Sequence, residues 1–153
     1  MAFRKEMFTR YGYFRTDLGR CGASLMSNED TEFGRRLLKA GEALFYQPSA
    51  LVYHPVTKDR LQKGFLLKWW FAKGRSDIRA YGPRTDSRFF IRGVPLYLFR
   101  NLARWILCWL FTLDPSRRFQ NKLGVWTILG AILECHRLHA AAPISRRLRS
   151  CSG

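Results

Sequence analysis

Acidic residues are scarce in this sequence: 11 Asp and Glu stand against 27 Lys and Arg, and the 153-residue chain carries a formal charge of +16. The shortage is local. Residues 1–55 hold 8 basic and 6 acidic side chains, a net +2, whereas residues 56–153 hold 19 and 5, a net +14. A charge that large and that localised implies an anionic partner (phosphate ester, nucleic acid or anionic lipid) and says nothing about fold. Cysteine is scarce too: the four, at 21, 108, 135 and 151, show no C-x-x-C spacing. That argues against a zinc site and a disulfide framework and makes a reducing compartment the default. Long apolar runs are missing. The N-terminal MAFRKEMFTRYGYF lacks the continuous apolar core of a signal peptide. The uncharged apolar stretch from Trp105 to Leu113 is nine residues, half of the roughly 18 needed to span a bilayer.

Nucleotide and hydrolase signatures are absent as well. The sequence has no G-x-x-x-x-G-K-[ST], G-x-G-x-x-G, G-x-S-x-G or H-E-x-x-H, so no phosphate-cradling loop, nucleophile elbow or zinc helix can be assigned. Neither a D-x-D nor a D-D pair occurs, which leaves no obvious carboxylate pair for Mg²⁺ or Mn²⁺. No zinc finger, RRM-type run or helix-turn-helix reader is visible, which argues against nucleic acid as the partner.

What is present is 47% apolar residues, enough to bury a core and to exclude a disordered chain. Phe3, Met7 and Phe8 share a helical face in the segment 2–10. The clearest helix is predicted from Glu29 to Ala40. Ser27 or Asn28 can cap it, Glu29, Asp30 and Glu32 suit the positive end of the dipole, and Gly41 suits the C′ position. Residues 43–46 and 50–53 are predicted as short strands around a Gln47-Pro48 turn. A second helix is expected over 58–74, with Leu61, Phe65, Leu66, Trp69 and Trp70 on its apolar side. A charged loop (81–92), a third helical tract (97–113) stopped by Asp114-Pro115, and a fourth (123–137) interrupted by Gly124 and Gly130 follow. Ala140 to Gly153, without periodicity, reads as a frayed tail.

Three constellations can carry chemistry. Glu29 and Asp30 sit where exposed backbone N–H groups favour the ionised carboxylate, and an accessible carboxylate can accept a proton from a hydroxyl; the plainer alternative is that they serve only the helix dipole. His54 ends a predicted apolar strand, where it could meet a metal or a phosphate, or be satisfied by a backbone carbonyl. Lys68-Trp69-Trp70-Phe71-Ala72-Lys73-Gly74-Arg75 interleaves aromatics with cations. That suits a membrane interface, where rings lie at headgroup level and cations reach phosphates, or an ordinary amphipathic helix. His136 and His139 read as surface residues.

Taken in order, Met-Ala-Phe-Arg-Lys-Glu-Met-Phe (1–8), Tyr-Gly-Tyr-Phe (11–14), Asn-Glu-Asp-Thr-Glu-Phe (28–33), Arg-Arg-Leu-Leu-Lys-Ala-Gly (35–41), Tyr-Gln-Pro (46–48) and Val-Tyr-His-Pro-Val (52–56) resemble the second half of a family 2 glycosyltransferase. The resemblance covers residues 1 to about 80. Asp-Pro-Ser-Arg-Arg-Phe (114–119) and the helix after it resemble that family's membrane-associated C-terminal extension. The resemblance implies an α/β chain: a partial GT-A (Rossmann-like) catalytic fold over 1–80, basic amphipathic membrane-associated helices over 81–139, and a flexible tail over 140–153. It implies inverting transfer of a sugar from a nucleotide-sugar donor to a hydroxyl acceptor, in cell-surface polysaccharide or glycolipid assembly.

By the same resemblance Asp30 is the general base and Glu29 orients it. His54, Lys73 and Arg75 lie by the diphosphate, and His54 is a candidate ligand for the divalent Mg or Mn expected of the intact enzyme. Trp69, Trp70, Arg100, Arg104, Trp105 and Trp109 would contact the anionic cytoplasmic face of the membrane, peripherally or monotopically. The nucleotide-sugar half with its early aspartate and Asp-x-Asp should precede residue 1, so the 153 residues are expected to be a fragment of low activity or none. The alternative is a non-enzymatic basic module that binds a membrane surface.

Overall fold

The computed structural model describes residues 2–22, 24–84 and 87–150, with side chains given through 141. Helices α1 (Lys5–Tyr11), α2 (Glu29–Lys39), α3 (Lys63–Tyr81), α4 (Leu96–Phe111) and α5 (Pro115–Ser150) account for most of it, 61% of the chain. The single sheet among the described residues is a hairpin of β1 (Phe90–Ile91) and β2 (Val94–Pro95), antiparallel with Ile91 opposite Val94. The expected α/β, Rossmann-like GT-A fold is therefore corrected: the chain is mainly helical.

The strands predicted over 43–46 and 50–53 do not form; the segment is irregular. Its apolar side chains stand in solvent, with Phe45 91% and Tyr53 87% exposed. A strand's N–H and C=O groups need a neighbouring ladder, and among the described residues no sheet lies alongside to provide one.

Helix α2 forms within a residue of its predicted bounds and its C-terminal closure is as expected, but neither Ser27 nor Asn28 caps its start through a side chain. Gly41 takes φ +87°, the Glu42 N–H donates to the Leu37 carbonyl and the Gly41 N–H to that of Leu38. This is a Schellman closure, which a left-handed glycine makes without strain. The buried face of α2 carries Phe33 and Leu37. Phe33, with no exposed surface, is roofed by the N-terminal aromatics. Phe8 stacks on it at 4.9 Å, while Phe3 and Phe14 meet it edge-on at 4.9 and 5.2 Å. Thus residues 2–14, whose 2–10 part shows helical spacing and forms α1 over Lys5–Tyr11, make the lid of a small aromatic core.

Helix α3 starts later and ends later than periodicity suggests: residues 58–61 form a separate 3₁₀ turn, and the helix passes through Gly74 to Tyr81. Its main partner is α5. The two backbones meet at reciprocal glycines. A Cβ on Gly74 would fall 1.9 Å from the Thr127 carbonyl oxygen, and one on Gly130 would fall 2.0 Å from that of Phe71. Gly124 admits the Trp105 ring of α4 in the same way, a Cβ there landing 2.6 Å from it. The glycines that look like helix breaks are crossing points, and α5 runs unbroken through them. It continues to Ser150, where the sequence suggests a frayed tail; residues 151–153 lie outside the described residues.

Asp114 closes one helix and opens the next. Its carboxylate accepts the N–H groups of Ser116 (3.3 Å) and Arg117 (3.2 Å), with Pro115 at the first helical position. This arrangement satisfies orphan donors and uses a proline whose missing N–H costs nothing there. The main core gathers Ile78, Val94, Leu98, Ala131 and Cys135 from α3, the hairpin, α4 and α5. Cys21, Cys108 and Cys135 are free thiols.

Candidate active site

The turn before α2 is pinned to α3 by two hydrogen bonds, each backed by a contact within α3. The Ser27 N–H donates to Ser76 Oγ at 2.9 Å. Ser76, fully buried, donates onward to the Ala72 carbonyl at 2.8 Å. The Asn28 amide donates to Asp77 Oδ1 at 2.7 Å, and Lys73 Nζ pairs with that same oxygen. Asn28 is 7% exposed and holds a left-handed conformation, φ +77°. Asparagine tolerates this region better than most residues. Its side chain makes no cap bond to the helix: the backbone is left-handed and not in the extended conformation usual at an N-cap, and the amide nitrogen is bonded to Asp77 of α3. The sequence identifies Asn28 as a cap; the structure makes it a tether.

The two neighbouring carboxylates then separate. Glu29 turns inward against Gly19, whose absent Cβ would lie 3.0 Å from the Glu29 Cδ. Gly19 is itself buried at φ +82°. Glu29 Oε2 is shielded from solvent and has no hydrogen-bond partner. Asp30 faces out, exposed, and its Oδ1 accepts the Thr31 backbone N–H at 2.7 Å and the Thr31 hydroxyl at 3.2 Å. That leaves the outward lone pairs of the other oxygen open to a ligand. The loop above is anchored by Arg79, whose Nη1 donates to the Asp17 carbonyl at 3.1 Å. The Arg15 fork bonds both Asp17 oxygens, at 3.0 and 2.7 Å, and holds that carboxyl below its usual range.

Tyr81, at the C-terminal end of α3, completes the neighbourhood. The Arg35 guanidinium lies 4.2 Å from its ring centroid. Burial pushes its hydroxyl pKa up, Arg35 opposes this, and the nearby charges of Asp77, Glu32 and Asp30 push it further up. Asp30, Asp77, Lys73, Arg35 and Tyr81 therefore share one electrostatic patch. The sequence shows Lys73, Asp77 and Tyr81 at successive i+4 positions, but nothing in it marks Asp77, Tyr81 or Arg35 as parts of the site.

The other candidates lie elsewhere. His54 stands exposed on the irregular segment, its Nδ1 3.2 Å from the Pro55 carbonyl oxygen. Among the described residues no three His, Cys, Asp or Glu side chains cluster as a metal site. Arg75 leaves the face of α3 that carries Lys73 and bonds Glu134 on α5 at 2.8 Å. Glu134 has no exposed surface and also accepts from Arg79 Nε at 2.7 Å and from Arg79 Nη2. Burial would raise its carboxyl, but the two guanidiniums win and hold it below the ordinary carboxylate value.

Trp69, Trp70, Trp105 and Trp109 are half-buried, while Arg100 and Arg104 are exposed. The apolar side chains that do reach solvent near them are Leu107, Leu110, Phe111 and Leu113, the last 96% exposed. No described helix is long and apolar enough to cross a membrane. Neither a family model, nor a curated protein, nor a solved structure matches the chain.

Proposed function

We propose that this chain supplies the acceptor-activating side of an inverting glycosyl transfer, with Asp30 as the general base. The observation that carries the proposal is the division of labour in the Asn28-Glu29-Asp30 turn. A tethered backbone shields one oxygen of Glu29 and leaves the Asp30 carboxylate in solvent, close enough to Tyr81 for its charge to be felt there. In this reading the acceptor hydroxyl gives its proton to Asp30 as its oxygen bonds to the anomeric carbon. The sugar–diphosphate bond breaks, and its electron pair leaves with the nucleoside diphosphate. Positioning and the protonation state of the base carry the step on this side. In this reading the nucleotide-sugar donor would be presented to Asp30 by a separate donor-binding unit. A divalent cation would, when bound, screen the leaving diphosphate, but the residues described here do not assemble a place for it.

The test joins this chain to a donor-binding half and follows sugar transfer to a hydroxyl acceptor. Asp30→Asn is expected to lower kcat by about 10²- to 10⁴-fold, the range for losing a general base, with little change in stability because the residue is exposed. Full turnover by the variant removes Asp30 from the mechanism.

A second reading is favoured by the exposed row Leu107, Leu110, Phe111 and Leu113, bracketed by exposed Arg104, Arg117 and Arg118. Apolar side chains rimmed by cations suit the headgroup layer of an anionic leaflet, at roughly 1 kcal/mol per basic residue near the surface. It would hold the chain peripherally at a membrane, with or without catalysis. Co-sedimentation with anionic but not neutral vesicles, weakened by Phe111→Ser, is the expected result; equal binding to both vesicles defeats it.

A further inference from the structure

A cavity of about 370 Å³ opens between the loop after α3 and the first turn of α4, lined by Arg84, Ser87, Arg88, Phe89, Leu96, Tyr97 and Arg100. Three guanidiniums converge on its wall, and none of the lining residues among the described residues is acidic. Arg88 and Arg100 are exposed and make no ion pair among the described residues. The positive end of α4 points at the same space, with no acidic residue in its first turn. A helix start of this kind presents backbone N–H groups and a partial positive charge to an anion.

The remainder of the wall is apolar and positioned. The Tyr97 hydroxyl accepts the Arg84 N–H at 3.4 Å, and the Arg84 guanidinium lies 5.9 Å from the Tyr97 ring. The Leu96 N–H donates to the Phe89 carbonyl at 2.9 Å, fixing the mouth of the hairpin against the helix. Ser87 Oγ is shielded from solvent without any hydrogen-bond partner. A shielded hydroxyl is ordinarily paired, so this one is a donor still lacking an acceptor.

From these observations we infer that the cavity is a binding site for a phosphate ester with an apolar or aromatic body. The phosphate meets Arg88, Arg100 and the open N-terminus of α4, and the apolar part lies on Phe89, Leu96 and Tyr97. Guanidinium forks match the phosphate oxygens in pairs, and the exposed Arg88 and Arg100 offer two of them. The inference goes beyond the reading of Asp30 and does not depend on it, since the cavity shares no residue with that patch. The ester can be a lipid headgroup or a soluble molecule, and the two sources are separable by experiment.

Phenyl phosphate is titrated into the full chain by calorimetry, with inorganic phosphate in parallel. Co-sedimentation uses phosphatidylcholine vesicles with and without phosphatidic acid. The site variant is Arg88→Gln with Arg100→Gln; the charge-matched control is Lys5→Gln with Lys39→Gln, exposed and on other helices. Losing two charge-assisted contacts is expected to weaken binding by more than about tenfold, whereas the control changes it by less than about threefold. Site-sensitive binding of phenyl phosphate supports a soluble ester. Site-sensitive binding of phosphatidic acid vesicles alone supports a lipid headgroup. Equal loss in both variants shows a diffuse charge effect and overturns the inference, as does the absence of saturable binding to any probe. Circular dichroism of the site variant, whose changed residues are exposed, checks that the fold is retained.

Discussion

Glu134 is the residue on which the α3–α5 interface turns electrostatically. A buried carboxylate is tolerated only when its lone pairs are filled, and Arg75 and Arg79 fill them. Breaking a fully buried cluster by removing one member typically costs about 3–5 kcal/mol; here the remaining arginines are partly exposed, at 22% and 25%, so the cost falls below that range. Glu134→Gln is accordingly expected to lower the denaturant midpoint, measured by circular dichroism. The pH dependence follows from the lowered carboxyl. Its stabilisation is complete above the ordinary carboxylate value and is lost as pH falls through the lower folded-state value. The parent should lose stability on acidification in a window below that ordinary value, and Glu134→Gln should show a shallower loss there.

Asp30 is the opposite case, an exposed carboxylate with only local bonds, so its substitution is expected to leave folding unchanged and, under the proposed function, to read out on turnover. The adjacent Glu29 sets the contrast. Its carboxylate is packed against Gly19, and a side chain at Gly19 would both collide with it and strain a positive φ. Gly19→Ala is therefore expected to displace the Asn28–Asp30 turn. The loss should appear as a destabilisation of about 1–3 kcal/mol, with Asp30-dependent transfer falling in parallel.

At the scale of elements, α3 and α5 show how a helix signal can be misread from composition. Glycine within a helix costs roughly 1 kcal/mol relative to alanine, and on propensity alone Gly74→Ala would stabilise α3. The crossing decides otherwise. A methyl group 1.9 Å from the Thr127 carbonyl oxygen forces the two backbones apart. Gly74→Ala is expected to destabilise the chain by about 3 kcal/mol, on the scale of overpacking in close-packed interiors. A midpoint that rises in a thermal melt would show that the helices do not cross here. The strands at 43–46 and 50–53 are the converse error. Their β-branched and aromatic residues have the right local preference, but preference without a neighbouring strand leaves the backbone unpaired. Backbone amides over 43–56 should consequently exchange with solvent orders of magnitude faster than those of α3.

For the molecule as a whole, the net +14 of residues 56–153 is distributed unevenly between structure and surface. Arg75 and Arg79 are consumed by Glu134, and Lys73 by Asp77. Arg88, Arg100, Arg104, Arg117 and Arg118 remain at the surface around the two ends of α4. An apolar segment at 44–56 and an apolar row at 107–113 are both uncovered, which gives the chain two sticky surfaces of different character, one of them ringed by cations. Any association with anionic vesicles should weaken as salt is raised, because exposed charges are screened within about 10 Å at 0.1 M; a salt-independent affinity would assign it to the apolar residues alone.

Local information was sufficient for α2 and for the helix stop and restart at Asp114-Pro115. Caps, dipole charges and a C′ glycine act within a few residues, so chemistry and geometry are written in the same short stretch. The acidic pair Glu29-Asp30 was legible for the same reason. Which carboxylate is buried, which arginines are neutralised and which glycines are contacts were not, because each depends on a partner 10 to 60 positions away. Those outcomes belong to the crossing of α3 with α5 and the docking of the pre-α2 turn on α3, where packing distance, and not local preference, selects the arrangement.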